Sequence, residues 1–261
     1  MLRYIDLYGH LLRQNLKTML EYRASFFIGA TSSVLFQAAG LLTLWVVMRQ
    51  IPNLNGWTLE ELLLIYGLMV LARSLDHMFT NNIWHTGDYI RRGSLDVFLL
   101  RPIDPLFHLL ANGFAQEGVG NFLVGLALVV SAGRTLGIFT SVFNVAYVGV
   151  TVLSGAVIFF SLNLITSVSA FWIIDSIPVT SAVYENHNFA YYPLSIYPRV
   201  FSFALTWVIP YGFVAFYPAS FLLGRGLGPL AWLSPVLAGI LLAIGYRFWN
   251  IGLRRYVGTG S

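Results

Sequence analysis

Residues 26–48 read FFIGATSSVLFQAAGLLTLWVVM and contain no charged side chain. An α-helix rises about 1.5 Å per residue, so a run of this length can cross the ~30 Å hydrocarbon core of a bilayer. The whole chain has the same character, since 57% of its residues are hydrophobic and 10% are charged, whereas soluble domains carry about 25% charged residues. The sequence therefore predicts an integral membrane protein.

Periodic apolar runs continue along the chain and predict an all-α membrane protein with six transmembrane helices in a single domain, residues 1–261. The spans are expected at 26–48, 59–80, 106–132 and 142–174, with one each within 200–223 and 230–250. The third must include Gln116 and Glu117, because 122–132 alone is too short to cross. Pro210 and Pro218 interrupt the fifth, which predicts a short helix followed by a re-entrant piece near the outer surface.

Residues 1–23 precede this six-helix region, 24–255, and are predicted to form an amphipathic helix in the membrane interface. Their polar and apolar side chains recur at helical spacing on opposite faces. The polar face carries Arg3, Asp6, His10, Arg13 and Lys17, and the apolar face carries Leu2, Ile5, Leu12, Leu16 and Met19. A helix packed on a soluble partner is the alternative.

The distribution of arginine and lysine predicts the orientation, because cytoplasmic loops of membrane proteins are enriched in these residues. With the N-terminus in the cytoplasm, the cytoplasmic segments hold Arg3, Arg13, Lys17, Arg23, Arg91, Arg92, Arg101, Arg199, Arg247, Arg254 and Arg255. The outer loops hold only Arg49, Arg134 and Arg225. Both termini are therefore expected in the cytoplasm, which agrees with an even number of spans.

The residue types present argue against an enzyme. A P-loop needs a lysine that reaches the nucleotide phosphates, and the only lysine is Lys17, in the amphipathic segment. The chain has no cysteine, and it contains neither His-Glu-x-x-His nor Gly-x-Ser-x-Gly. We expect no catalytic residue, no metal or cofactor bound by this chain and no nucleic-acid partner, so any ATP-driven function requires a separate ATPase.

Four ionisable residues are predicted within or beside spans. Arg73, Asp76 and His77 lie near the inner end of the second span, where their spacing puts them on one helix face and lets Arg73 pair with Asp76. Glu117 is the only acid expected well inside a span. It is either a structural group, held by an interhelical hydrogen bond or an ion pair to a residue such as Arg73, or a site of ion coupling.

Residues 84–105, WHTGDYIRRGSLDVFLLRPIDP, form a polar segment between the second and third predicted spans. It is cytoplasmic by the charge distribution, with a glycine break at Gly93 and prolines at its end. It is either an ordinary basic loop that sets topology or a docking element for a cytoplasmic partner.

This segment closely resembles the loop between the second and third spans of ABC-2 type permeases. It fits the branch with the pattern Ile-Arg-x-Gly-x-Leu-Asp-x-x-Leu-Leu-Arg-Pro, which this chain matches at Ile90, Arg91, Gly93, Leu95, Asp96, Leu99, Leu100, Arg101 and Pro102. A second matching stretch runs from Tyr192 to Pro198 and is followed by Ile209-Pro210 and 217–219. The resemblance covers nearly the whole chain.

The resemblance implies an exporter permease in the plasma or inner membrane, with an interfacial helix, six spans and re-entrant helices between the fifth and sixth. Two permease subunits, identical or homologous, would form the pathway in the lipid bilayer, above two ABC ATPase subunits that bind ATP and magnesium. Residues 84–101 would couple to the ATPase, chiefly through Asp88, Tyr89, Arg91, Arg92, Ser94, Asp96 and Arg101. The pathway would be lined by the first, second and fifth spans, with Phe36, Gln37, Thr43 and Phe203 as lining residues.

Two other functions remain open from the sequence. An ion-coupled secondary transporter or channel would act without an ATPase and would use Glu117. A non-transporting scaffold would assemble other membrane proteins.

Overall fold

A computed structural model describes residues 23–256 except 52, 174 and 227, together with residues 9, 13, 14, 17 and 21. Within these residues the chain is helical, and the one β interaction is an isolated bridge between Leu54 and Trp57. The all-α class is therefore confirmed. The interfacial helix predicted for residues 1–23 lies almost wholly outside the described residues.

The α-helices of the described residues are numbered here in chain order. They are α1 (Arg23–Gln50), α2 (Leu59–Thr80), α3 (Thr86–Arg91), α4 (Leu95–Leu99), α5 (Pro105–Ala111), α6 (Glu117–Thr135), α7 (Val142–Ser167), α8 (Ile177–Tyr184), α9 (Arg199–Phe203), α10 (Phe216–Leu222), α11 (Gly228–Ala231) and α12 (Leu233–Arg255). Short 3₁₀ turns occupy Asn81–His85, Ile138–Thr140, Val168–Phe171, Glu185–Tyr191, Leu194–Ile196 and Tyr211–Phe213, and a π turn occupies Ala204–Val208.

Five helices, α1, α2, α6, α7 and α12, are long and apolar enough to cross a membrane. The first and second agree closely with the predicted spans. The fourth predicted span, 142–174, corresponds to α7 and the following 3₁₀ turn, which ends at Phe171. A bent pair of shorter helical segments, Arg199–Val208 and Tyr211–Leu222, would raise the count to six if it formed one span.

The third predicted span was wrong in its bounds, because residues 106–132 do not form one helix. Asp104 caps a separate short helix, α5, by accepting a hydrogen bond from the Phe107 amide at 2.9 Å, and Pro105 occupies its first turn. After a break, α6 begins at Glu117 and continues to Thr135. At 1.5 Å per residue, α6 is about 28 Å long. It reaches this length by continuing past residue 132 to Thr135, and it includes none of residues 106–116.

The helix α2 lies at the centre of the bundle. It packs against α6 and α7, α7 packs against α12, and α1 packs against α6. The first turn of α2 carries a capping box, in which the side chains of Thr58 and Glu61 each accept a hydrogen bond from the other residue's backbone amide. By contrast, α1 is peripheral, since Gln37 and Leu44 are its only buried residues.

Residues 177–197, which we name the crossing segment, run antiparallel along α2 from its C-terminal end to its N-terminal end. Four successive contacts define this path: Trp84 with Tyr184, Arg73 with His187, Tyr66 with Tyr191, and Trp57 with Ser195. One face of the segment is buried, at His187, Tyr191 and Leu194, and irregular backbone at membrane depth is tolerated where it is buried in protein. The segment therefore joins the two ends of the bundle, although no span was predicted between residues 174 and 200.

This path corrects the predicted position of Arg199. Arg199 lines a cleft with Ser195, and Ser195 accepts hydrogen bonds from Trp57 Nε1 at 3.0 Å and Asn55 Nδ2 at 2.8 Å. Arg199 thus lies at the end of the bundle that holds the turn before α2, opposite to Arg92.

The bent pair that begins at Arg199 returns to the same end of the bundle, the end that holds the turn before α2. Its two parts meet at 77°. Tyr211 and Phe213, at the start of the second part, are both fully buried, and the Tyr211 ring lies 4.9 Å from that of Phe159 in α7. Beyond α10, Arg225 donates to the Gly56 carbonyl at 2.8 Å and to the Glu61 carboxylate at 2.5 Å. The pair therefore enters and leaves at one end of the bundle, as a re-entrant hairpin does.

Candidate functional site

Residues 84–101, which we name the coupling segment, form two short helices separated by a tight turn. The helix α3 ends with the Arg92 amide donating to the Asp88 carbonyl at 3.0 Å. Gly93 then adopts a φ of +66°, a left-handed conformation that glycine reaches without steric cost. The turn directs α4 back towards α3, so that the Phe98 ring lies 5.2 Å from the Tyr89 ring.

The coupling segment is anchored by two buried side chains of α4. Leu95 is fully buried and Phe98 is 6% exposed. Both belong to a cluster that joins α4 to the 3₁₀ turn after α2 and to α5, α7 and α12. The cluster is formed by Ile83, Leu95, Phe98, Leu106, Leu109, Leu164, Val168 and Trp249. Since protein interiors are close-packed and transmit strain, a displacement of α4 would be passed directly to the spans.

The opposite face of the segment is both basic and apolar, and we name it the docking face: Arg91, Arg92, Val97, Leu99, Leu100 and Arg101. All six residues are exposed, and Leu100 is 85% exposed. Exposed apolar side chains rimmed by polar ones mark protein interaction sites. The segment thus presents a surface suited to a partner with acidic groups around an apolar patch.

The charges of the docking face differ in how they are held. Asp88 forms an ion pair with Arg91, and His85 Nδ1 lies 3.6 Å from the Asp88 carboxylate. The hydrogen bond from Arg91 lowers the pKa of the Asp88 carboxyl below its usual value. Arg92 is exposed and makes no side-chain hydrogen bond to another described residue, although its charge also lowers the pKa of the Asp88 carboxyl.

The structure brings four of the predicted coupling residues around one cleft of about 370 Å³. Asp88, Tyr89, Arg92 and Ser94 line it together with Asn82 and His85. Arg101 lies apart, 3.0 Å from His108 Nε2, and Asp96 lies on the first turn of α4. Asn82 was missed by sequence reasoning, although its amide donates to the Leu109 carbonyl at 2.6 Å and joins the segment to α5.

The predicted ion pair between Arg73 and Asp76 does not form. Arg73 Nη1 instead donates to the Tyr191 hydroxyl at 2.8 Å and lies 3.2 Å from His187 Nε2, both in the crossing segment. Asp76 turns towards α7, where it accepts from Asn163 Nδ2 at 2.9 Å. The two side chains diverge because each finds a neutral partner on a different neighbouring element, which helical spacing alone does not show.

Glu117 was predicted to lie well inside a span, and this was wrong. It is the first residue of α6, and it is exposed. A carboxylate is favoured at that position by the partial positive charge of a helix N-terminus. It forms no ion pair with Arg73 or any other described residue within 4.0 Å. This geometry removes the reason for choosing Glu117 as a group that couples transport to an ion gradient.

Three of the predicted lining residues, Phe36, Gln37 and Thr43, share a lateral cleft of about 410 Å³ between α1, α2 and the crossing segment. The Tyr66 hydroxyl donates to Gln37 Oε1 at 2.8 Å and holds this side chain in place. Gln37 Nε2 in turn donates to Asn121 Oδ1 at 2.9 Å. The cleft also contains Gly40, Asn188, Tyr191 and Tyr192.

Phe203 lies elsewhere, in a second cleft of about 400 Å³ beside Arg199 and Trp207. This cleft belongs to the end of the bundle that holds the re-entrant hairpin. The sequence therefore grouped Phe203 with residues that the structure does not bring to the same cleft.

Comparison with known proteins gives a match over most of the chain. A family model described as ABC-2 family transporter protein matches residues 34–260. Neither the curated proteins nor the solved structures gave a match. The matched region includes the coupling segment, the crossing segment and all five long helices except the start of α1, and the chain is therefore a multi-pass membrane protein that belongs to the ABC-2 family of transporter proteins.

Proposed function

We propose that this chain is the permease subunit of an ATP-driven exporter in the plasma or inner membrane. It would pair with a second permease subunit, identical or homologous, and would be driven by two separate ATPase subunits that bind ATP and magnesium. The observation that carries the proposal is the exposed docking face on an anchored coupling segment, in a chain whose only lysine, Lys17, lies outside any P-loop.

Coupling would begin when closure of the ATPase subunits moves the docking face. Leu95 and Phe98 would pass this displacement to Leu164 and Trp249, which lie in the same buried cluster. The ends of α2, α7 and α12 would then move as rigid bodies. This motion would open the cleft that holds Phe36 and Thr43 towards the second permease subunit, and its aromatic and uncharged lining suits a hydrophobic or amphipathic cargo.

The proposed topology has six crossings and both termini in the cytoplasm. Five crossings are helices, and the fifth in chain order is the irregular crossing segment, 177–197. The re-entrant hairpin then belongs to the outer side. Moving Arg199 outside leaves ten basic residues at the inner end against four at the outer end, which still satisfies the positive-inside rule.

Cysteine labelling tests this topology, because the chain has no cysteine of its own. We expect Arg199→Cys to react with a membrane-impermeant maleimide in intact cells, as the outer reference Arg134→Cys does. The inner reference Arg92→Cys should react only after permeabilisation. Arg199→Cys behaving like Arg92→Cys would contradict the proposed path of the crossing segment.

Cross-linking tests the proposed function. The tagged chain, purified from its own membranes, should carry an ATPase subunit with a P-loop, and Leu100→Cys in the docking face should cross-link to it. Val142→Cys is a matched control, since Val142 is 86% exposed and Leu100 is 85% exposed, but Val142 begins α7 at the opposite end of the bundle.

The same purified complex supplies a second measurement. In lipid vesicles, the ATPase subunit should hydrolyse ATP faster when it is reconstituted with this chain than when it is reconstituted alone. An intact complex in which position 142 cross-links to the ATPase and position 100 does not would refute docking at the coupling segment. A chain that transports in vesicles without any ATPase would refute the exporter itself.

A further inference from the structure

A third cleft lies beside α2 near its C-terminal end, and we name it the charged cleft. It has a volume of about 280 Å³ and is lined by Arg73, Asp76, His77, Asn81, Trp84 and Tyr184. It is close to the lower limit of about 300 Å³ for small-molecule pockets, so it suits a headgroup rather than a whole lipid. None of these residues belongs to the docking face.

Neither charge of this cleft has a counter-charge beside it among the described residues. Among the described residues, no carboxylate lies within 4.0 Å of the Arg73 guanidinium, and no cation lies within 4.0 Å of the Asp76 carboxylate. Asp76 is only 4% exposed, and its hydrogen-bond donors are neutral, Thr80 Oγ1 at 2.5 Å and Asn163 Nδ2 at 2.9 Å. Buried charges are costly unless they are paired.

The guanidinium retains binding capacity. Its Nη1 bonds to Tyr191 and His187, and Tyr184 is a third hydrogen-bond partner, so two of its five N–H donors are left for a further acceptor. A guanidinium matches the geometry of phosphate oxygens and binds them through two parallel hydrogen bonds. An anionic phosphate is therefore the group that Arg73 is best suited to bind.

Because Asp76 lines the same cleft, a ligand that fits both side chains should carry a positive group close to its phosphate. A carboxylate accepts hydrogen bonds from a primary ammonium, whereas a quaternary ammonium has no hydrogen to donate. At the rim of the cleft, the rings of Trp84 and Tyr184 meet edge to face at 5.0 Å. Tryptophan and tyrosine are enriched at the depth of lipid headgroups.

We propose that the charged cleft binds the phosphate–ammonium headgroup of a zwitterionic phospholipid with a primary amine, such as phosphatidylethanolamine. Arg73 holds the phosphate and Asp76 accepts the ammonium. In the topology of the proposed function, this end of α2 is cytoplasmic, so the lipid would come from the cytoplasmic leaflet, and this one point rests on the proposed function. The binding itself does not require an ATPase.

Native mass spectrometry and thermal unfolding of the purified chain in detergent test this site with added lipids. Phosphatidylethanolamine should bind more tightly and stabilise the chain more than phosphatidylglycerol, which lacks the ammonium, or phosphatidylcholine, whose ammonium cannot donate. Asp76→Asn should weaken binding of phosphatidylethanolamine by about tenfold, the effect of losing one charge-assisted hydrogen bond, and should leave phosphatidylglycerol unaffected.

Arg73 variants separate the two halves of the headgroup. Arg73→Gln should weaken binding of both phospholipids, and Arg73→Lys, which keeps the charge without the planar fork, should weaken both less. Arg49→Gln is the control, since Arg49 stacks on Trp45 at 4.0 Å at the far end of α1. If Arg73→Gln does not fold, Arg73→Lys and the lipid preference of the unmodified chain still decide the outcome.

Two results would overturn the proposal. Equal binding of the three phospholipids by the unmodified chain would show that the headgroup is not read, and an undiminished preference for phosphatidylethanolamine in Asp76→Asn would remove the ammonium site. Soluble glycerophosphoethanolamine serves as a further arm. If it stabilises the chain as strongly as the lipid does, the ligand is a soluble zwitterion and the lipid assignment is wrong.

Discussion

Arg92→Glu should weaken the association of this chain with its ATPase by at least about tenfold, because placing like charges together in an interface costs several kcal/mol and each ~1.4 kcal/mol is a factor of ten. Arg92 is exposed and makes no side-chain hydrogen bond within the described residues, so its replacement leaves the local fold intact. Arg91 is a less clear test, since its replacement would also release Asp88 from their ion pair. Binding of the purified subunits at several salt concentrations measures the effect.

Two further variants make this result specific. Arg134→Glu introduces the same charge change in the last turn of α6, at the opposite end of the bundle, and should leave the association unchanged. Arg92→Lys should restore most of it. An unaltered affinity in Arg92→Glu, with the protein inserted and folded, would remove the docking face from the interface.

Gly120→Val should destabilise the bundle by about 2–6 kcal/mol, the sum expected for overpacking and for leaving a buried amide without its hydrogen bond. A Cβ atom at Gly120 would lie 2.5 Å from the Ala30 carbonyl oxygen and 3.1 Å from its Cα. Both are backbone atoms, so α1 and α6 would have to separate. The hydrogen bond from Gln37 to Asn121 would then be lost, although Gln37 is 1% exposed.

Thermal unfolding in detergent measures this effect, and other glycines provide matched controls. Gly149 in α7 and Gly239 in α12 would each place a Cβ atom with nothing within 4 Å. Their valine variants should unfold like the unmodified protein. A Gly120→Val variant as stable as these controls would show that the contact between α1 and α6 can relax freely.

Long apolar runs could be predicted from the sequence because crossing a bilayer constrains length and composition directly. The second span was predicted at 59–80, and α2 occupies Leu59–Thr80. The break before Glu117 was missed because its neighbours are apolar enough to read as one span. The signal for it was Asn112-Gly113, a pair typical of turns, at the C-terminal end of α5.

The crossing segment could not be predicted in the same way. Its asparagines, tyrosines and prolines form no long apolar run, and nothing local shows that His187 and Tyr191 have Arg73 as a partner. The same gap explains the mistaken ion pair between Arg73 and Asp76. A pairing rule for neighbours on one helix takes no account of acceptors that another element supplies.

The sequence by itself determined the class of protein and the first two long spans, and it singled out residues 84–101, because hydrophobic length, charge placement and the Arg91–Pro102 pattern are local properties. Only the tertiary structure decided which side chains share a cleft and which charges lack a counter-charge. Those depend on contacts between residues far apart in the chain, such as Arg73 with Tyr191 and Asp76 with Asn163. In a membrane, where an unpaired polar group is costly, such distant partners determine where each buried polar side chain points.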